Sequence, residues 1–195
     1  MKRLKITDVK ETKKLQYLRG FEISYKDSKG KLRKWELVSR DGLDRLESEI
    51  FDSESYSDGT MICAMDKEKK HIVLIREYRV SAGKYLYSMP AGLMDEGEDI
   101  METAKREFNE ETGLVLNPVV FDSERYTSVG LSNEKVTIVY GYYEGTPSSD
   151  NLEDNEDIEV VIADRSIAKR ILSEEEVPIR TALILQRIYN LAPIF

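Results

Sequence analysis

The chain is poor in the residues that announce a chemistry singly. One cysteine, Cys63, and one histidine, His71, stand among 195 residues. A lone cysteine excludes an intrachain disulfide and fits a reducing compartment. Cys63 lies in the apolar run Met61-Ile62-Cys63-Ala64-Met65 and reads as a buried strand residue, not a nucleophile. His71 follows Lys69-Lys70 with no partner apparent in the sequence, so it reads as a surface residue. No apolar run approaches the ~20 residues that span a bilayer, and Met1–Lys5 leads into polar sequence rather than an apolar stretch. These absences imply a soluble, cytoplasmic protein with no membrane partner. Basic runs are missing too, and the net charge is −8. Such a surface argues against a nucleic-acid polymer as partner. A small anion remains open, because a metal and a few arginines reverse the field locally. There is no internal repeat and no low-complexity tract.

Hydrophobic residues make up 41% and charged residues 34%, enough for one core domain with a sizeable extra element, or for two small domains. Residues 1–39 read as strands. Phe21, Ile23 and Tyr25 alternate with polar neighbours, Asp27-Ser28-Lys29-Gly30 is a turn, and Trp35 and Leu37 alternate on the return strand. A sheet this small is marginal alone and must pack on the rest of the chain or on a second copy. Residues 40–59, rich in Asp, Glu and Ser, read mainly as a linker, with a short helix through Leu43, Leu46 and Ile50 as the alternative. The expected organisation is an N-terminal β element over residues 1–50 and a larger domain over 60–195.

From Thr60 the texture changes. Strands are predicted at Thr60–Met65, His71–Tyr78 and around Tyr85–Tyr87, then at Leu114–Val120, Val136–Tyr143 and Ile158–Ala163. Residues 99–112 lack Gly and Pro and carry Met101, Ala104 and Phe108 at helical spacing, with Gly113 as the terminating residue. Two further helices are predicted near Ser166–Leu172 and Ile179–Leu191, the last with Leu183, Leu185, Ile188 and Leu191 as an amphipathic docking stripe. The fold class is α+β, a mixed sheet between helices in an α/β/α sandwich, with an extra N-terminal antiparallel sheet.

The chemistry concentrates in Gly92-Leu93-Met94-Asp95-Glu96-Gly97-Glu98 and in Arg106-Glu107-Phe108-Asn109-Glu110-Glu111-Thr112-Gly113-Leu114. A helix advances about 100° per residue, so Glu107 and Glu111 stack on one face and Glu110 lies just around its side. The acidic side chains flank the apolar stripe. Like charges so placed repel, nothing at i+4 is expected to relieve them, and a cation is the simple remedy. Hard carboxylate oxygens without clustered His or Cys favour Mg²⁺ or Mn²⁺ over zinc. Gly92 and Gly97 allow a tight loop whose backbone approaches a ligand.

Reading from Gly92 to Leu114, the pattern is Gly, five residues, Glu98, seven residues, then Arg106-Glu107-apolar-any-Glu110-Glu111-any-Gly113-apolar, without a gap. This stretch resembles the signature of the Nudix hydrolase family, with Phe108 aromatic where an aliphatic residue is more usual. The resemblance implies that Glu107 and Glu111 ligate metal, that Glu110 is a further ligand or catalytic neighbour, and that the carbonyl of Ala91 supplies another oxygen. It also implies that Arg106 and Glu98 pair to hold the loop on the helix, with Gly92 and Gly113 as structural glycines. The reaction implied is Mg²⁺-dependent hydrolysis of a phosphoanhydride, with Mn²⁺ as a possible substitute.

The flanking sequence resembles the branch acting on ADP-ribose and nucleoside-diphosphate sugars. In that branch a loop carboxylate positions water; here Glu153, Asp154 and Glu156 are the candidates, with Asp154 at the place usually held by glutamate. Arg79 occupies a position similar to a phosphate-contacting one, whereas Arg76 reads as an ordinary surface residue. Ser128, followed by Val129, stands where many ADP-ribose pyrophosphatases carry proline, and with Glu134 it lies in a segment similar to that branch's substrate-contacting loop. Ser88 replaces a usual glutamate. The N-terminal sheet implies a homodimer and a wall for the base pocket, to which Arg19 and the aromatics Tyr17, Phe21, Tyr25 and Trp35 are candidate contributors. ADP-ribose is the expected substrate, with UDP- or GDP-sugars next. A non-catalytic nucleotide sensor and a capped-RNA hydrolase are the alternatives from other classes. The sensor is disfavoured because all three signature glutamates are present.

Overall fold

The computed structural model describes residues 4–152 and 156–191. The chain forms two compact units, one of residues 1–58 with 124–136, the other of residues 59–123 with 137–195.

The first unit carries an antiparallel sheet of β1 (Lys5–Lys14), β2 (Arg19–Lys26) and β3 (Leu32–Ser39) in that order. The hairpin between β2 and β3 closes on Asp27, whose side chain accepts the N–H groups of Lys29 and Lys31 at 2.9 Å. That local bonding is the reason an Asp opens this turn. Phe21 and Leu37, paired across the strands, join Val9 and Leu46 in a small core. Phe21 is therefore core and not available to stack on a base. Residues 40–59 contain more order than a linker: α1 (Leu43–Glu47) runs into a π-helical turn at Ser48–Asp52, and Leu43, Leu46 and Ile50 all face the core. Three apolar residues at helical spacing outweigh the polar composition there. Arg45 holds the segment by ion pairs to Asp41, Glu49 and Asp58.

The second unit is built on a mixed sheet with strand order β10-β5-β4-β9-β8. These are β4 (Gly59–Met65), β5 (Ile72–Arg79), β8 (Val115–Tyr126), β9 (Lys135–Glu144) and β10 (Ile158–Ala163). The far ends of β8 and β9, with their connection, belong to the first unit. Two short strands, β6 (Lys84–Ser88) and β7 (Ala91–Leu93), pair with β5 and β4. Ile72, Val73, Leu74 and Ile75 are all fully buried, as a strand covered on both faces must be. Ile62, Ala64 and Val73 pack under helix α2 (Ile100–Thr112), against Ala104 and Phe108. Cys63 and Met65 point to the other face, where Ile184 and Ile188 of α4 (Ile179–Tyr189) lie. Helix α3 (Arg165–Glu174) follows β10, N-capped by Asp164. Helices thus lie on both faces of the sheet, the sandwich anticipated from the sequence.

His71, read as unpartnered, sits with Nδ1 2.6 Å from Asp66 Oδ2. The turn between β4 and β5 brings the two together, and Asp66 also accepts the N–H groups of Lys70 and His71. Among the described residues no helix is long and apolar enough to cross a membrane.

Candidate active site

Helix α2 begins with a capping box. The Asp99 side chain accepts N–H groups of Met101 and Glu102, and Glu102 returns a bond to the Asp99 N–H. It ends at Gly113, φ 67°, where an added Cβ would stand 2.7 Å from the Ser148 backbone nitrogen. Both ends are fixed, so the carboxylates between them have a defined rotation about the axis.

Arg106 ties the glycine loop to this helix. Its Nε and Nη2 donate to the two oxygens of Glu98 at 2.7 and 2.8 Å, and Nη2 also reaches the Leu93 carbonyl at 3.1 Å. This planar fork is what guanidinium provides and ammonium does not. Thr103 Oγ1 and the Asp95 N–H also donate to Glu98. With Arg106 beside it, the Glu98 carboxyl is held down to about 2. The same guanidinium turns Nη1 to Glu107 Oε1 at 2.9 Å and Glu110 Oε2 at 3.0 Å. The expectation that no residue at i+4 relieves the acidic face therefore fails: Arg106 and Glu110 are an i,i+4 pair. The spacing relieves Glu110 and not Glu111, which has Glu107 four residues before it.

Glu111 is the most enclosed of these groups, 4% exposed. Its Oε2 accepts the Ala91 N–H at 3.0 Å. Burial pushes its carboxyl well above the ordinary glutamate value; the Ala91 N–H opposes this, and the charges of Glu107, Glu77 and Glu156 add to it. Glu107 is also raised, chiefly by burial and against the pull of Arg106. Its carboxyl lies so close to the loop that a Cβ on Gly92 would stand 1.8 Å from Glu107 Cδ. Gly92 is there because no side chain fits.

Glu77 is a member of the site that lies outside the signature stretch of the sequence. It lies on β5 two residues after the fully buried run Ile72–Ile75, beyond Arg76, and its own carboxyl is raised by burial. Arg79 Nη2 is 2.7 Å from Glu77 Oε2 but off the line of a hydrogen bond, leaving that buried oxygen without one. An acidic residue continuing the strand register two places beyond a fully apolar run is the signal the sequence carries. Arg76 stacks over the Tyr85 ring at 4.3 Å and lies 3.5 Å from Glu159. Glu156 enters through its loop's C-terminal anchor: Tyr85 donates its hydroxyl to the Asp157 carboxylate, and the Tyr78 N–H donates to the Asp157 carbonyl at 3.1 Å. From that position the charge of Glu156 raises Glu77, Glu107 and Glu111 alike. Glu153 and Asp154 lie outside the described residues. Arg19, Ser128 and Glu134 belong to the first unit. There Arg19 pairs with Glu11 at 3.3 Å, the Ser128 carbonyl closes a turn, and Glu134 accepts from Thr127 Oγ1 at 2.6 Å.

The second unit thus gathers Glu77, Glu107, Glu111 and Glu156 into one electrostatic cluster beside Glu110 and the Ala91–Gly92 backbone. Among the described residues no three of these groups enclose a common point as they stand, and Glu107 and Glu110 are both turned onto Arg106. The donor set nevertheless suits a hard divalent cation: all oxygen, mostly buried, mutually repelling, and including the unsatisfied Glu77 Oε2.

The NUDIX domain family matches residues 56–184, and the chain belongs to that family. Among relatives, it is 30% identical over 159 residues to "Putative nudix hydrolase 2" of Caenorhabditis elegans, covering 77% of this chain and 68% of that protein. It is 32% identical over 164 residues to "ADP-ribose pyrophosphatase" of Saccharomyces cerevisiae, covering 77% of this chain and 65% of that one. The chain's fold is similar to that of a solved structure titled "Crystal structure of ADP compounds hydrolase", with a TM-score of 0.72 and 21% identity over 97% of this chain and 94% of the other.

Proposed function

We propose that this Nudix enzyme hydrolyses the diphosphate bridge of ADP-ribose, giving AMP and ribose 5-phosphate, with Mg²⁺ as cofactor. The observation that carries the reading is the buried Glu111 carboxylate. It sits beside Glu107 on a helix whose rotation is fixed at both ends, with too little protein charge near it to balance it. Sequence similarity to the yeast ADP-ribose pyrophosphatase supports the choice of substrate.

Glu107, Glu111 and Glu110, with the Ala91 carbonyl, would hold the cation; Mn²⁺ suits the same oxygens. Bound there, it would neutralise the diphosphate and activate water for attack on phosphorus. The chain's residues do the positioning. Arg106 and Glu98 fix the loop from Gly92 to Glu98 on α2, so the Ala91–Gly92 backbone keeps its distance from the carboxylates. Arg79, 43% exposed at its side chain, supplies a guanidinium for a phosphate. A carboxylate of the loop before β10 would orient a water or accept its proton, with Glu153, Asp154 and Glu156 as the candidates; the charge of Glu156 acting on Glu107 and Glu111 supports its inclusion. Positioning and electrostatics supply most of the rate in phosphoryl transfer.

The N-terminal sheet serves, in this reading, a homodimer and a substrate-pocket wall. Trp35 and Tyr17 are exposed, a form of apolar surface that association covers. Arg19, Ser128 and Glu134 are the substrate contacts expected from the first unit. A cytoplasmic location belongs to the same proposal.

A panel of ADP-ribose, UDP-glucose, GDP-mannose, NADH, dinucleoside polyphosphates and capped RNA, each with Mg²⁺ and with Mn²⁺, tests the reading. ADP-ribose is expected to be cleaved fastest. Tight ADP-ribose binding without turnover would instead make the protein a sensor.

A further inference from the structure

On the sheet face opposite α2 the second unit contains a cavity of about 390 Å³. Its walls are apolar: Cys63 and Met65 from β4, Val119 from β8, and Ile184 and Ile188 from α4. Tyr142 also lines it, and its hydroxyl has no bonding partner among the described residues. Burial pushes the Cys63 thiol up to about 12, so this wall is chemically inert and carries no thiolate.

The mouth has the opposite character. Lys69 and Arg187 line it, and neither makes an ion pair or side-chain hydrogen bond among the described residues. Lys69 also lines a second cavity of about 590 Å³, together with Lys70, Arg165 and Lys169. Lys70 and Lys169 likewise have no acidic partner among the described residues. Asp164 faces this cleft, but its Oδ1 accepts the N–H groups of Ser166 and Ile167 and the Ser166 hydroxyl. His71 is paired with Asp66, and Arg165 donates to the Tyr189 carbonyl at 3.1 Å. Tyr189 braces the cleft, donating its hydroxyl toward the Ala163 and Lys70 carbonyls. Lys69, Lys70, Lys169 and Arg187 thus gather four cations without an acidic partner among the described residues, in a chain of net charge −8.

We propose that the two cavities form one binding site for a soluble amphipathic phosphate. Its apolar body enters beneath α4, and its phosphate lies between Lys69 and Arg187, extending toward Lys70. A dry cavity of about 150 Å³ admits benzene, so this one takes an alkyl chain of about ten carbons or a two-ring aromatic. Charge complementarity selects the anion, since an uncharged body would leave the four cations as they are. This site is separate from the diphosphate site and does not depend on that assignment.

Fluorescence of 8-anilinonaphthalene-1-sulfonate, competed with decyl phosphate below its micelle concentration and with 1-decanol, tests the proposal on the full chain. Saturable binding of one dye per chain is expected, with decyl phosphate displacing it at least tenfold better than decanol. The double variant K69Q/R187Q should lose most of that preference, and I184W should abolish dye binding. Should I184W fold poorly, methyl NMR of the wild-type chain decides the matter. Decyl phosphate should shift the methyl signals of Ile184 and Ile188. Equal displacement by decanol overturns the proposal, as do shifts confined to other methyls or binding seen only with phosphatidic acid vesicles. So does movement of the same methyls on raising protein concentration without probe, which would assign the face to a second copy of the chain.

Discussion

The carboxylate of Glu111 accepts the main-chain N–H of Ala91 at 3.0 Å from within an almost fully enclosed position. One neutral donor cannot replace the hydration lost by a buried carboxylate. The charges of Glu107, Glu77 and Glu156, which also act on it, are of the same sign. In the metal-free protein this residue therefore opposes folding whenever it is ionised.

Replacing it by glutamine keeps an oxygen for Ala91 and removes the charge. A carboxyl raised in the folded state contributes fully below its unfolded value, near 4.5, and loses that contribution as pH rises through the folded pKa. Glu111→Gln is thus expected to stabilise the metal-free protein at pH 8 by about 1–3 kcal/mol, a gain of a few degrees in Tm, and by much less at pH 5. Turnover should fall at least about a hundredfold. Thermal melts at both pH values with an activity assay check this; a lower Tm at pH 8 would count against it.

Metal should reverse the penalty. Millimolar Mg²⁺ is expected to raise the Tm of the chelator-treated wild type through linkage. The effect should shrink as pH falls, beginning above the ordinary glutamate range because Glu107 and Glu111 are both raised. Melts with and without Mg²⁺ across pH 5–8 give the result directly. A shift independent of pH would place the ion elsewhere.

Arg106→Lys preserves the charge and loses the fork to Glu98. Because the replacement leaves Glu98, Glu107 and Glu110 imperfectly bonded, a loss of about 1–3 kcal/mol and a drop of roughly tenfold or more in kcat are expected. Denaturant titration and steady-state kinetics measure the two separately.

Gly92→Ala should act by contact alone. The new methyl would overlap the Glu107 carboxyl, which must swing away. Mg²⁺ affinity by calorimetry is expected to fall at least about tenfold, with the far-UV spectrum unchanged. An unaltered affinity would remove Glu107 from the cation site.

Much of this is legible in the amino-acid sequence. The strand at Ile158–Ala163 agrees with its expected bounds, and the helix ending at Gly113 does so to within a residue, because period and caps are local properties. Contacts made by chain reversal and by sheet packing are not legible. His71 meets Asp66 only because a turn folds back. Glu77 joins the cluster through sheet pairing, and Leu46 enters a core made by β1, β2 and β3. Spacing placed Glu111 beside Glu107, but its burial depends on the packing of α2 against the sheet.

The most direct test of the central claim is electron paramagnetic resonance of Mn²⁺ added to the wild-type chain and to the Glu107→Gln/Glu111→Gln double variant. The free-ion signal is expected to be depleted by the wild type in proportion to protein, and to be left nearly intact by the variant. Equal depletion by both would contradict the assignment of the cation to α2.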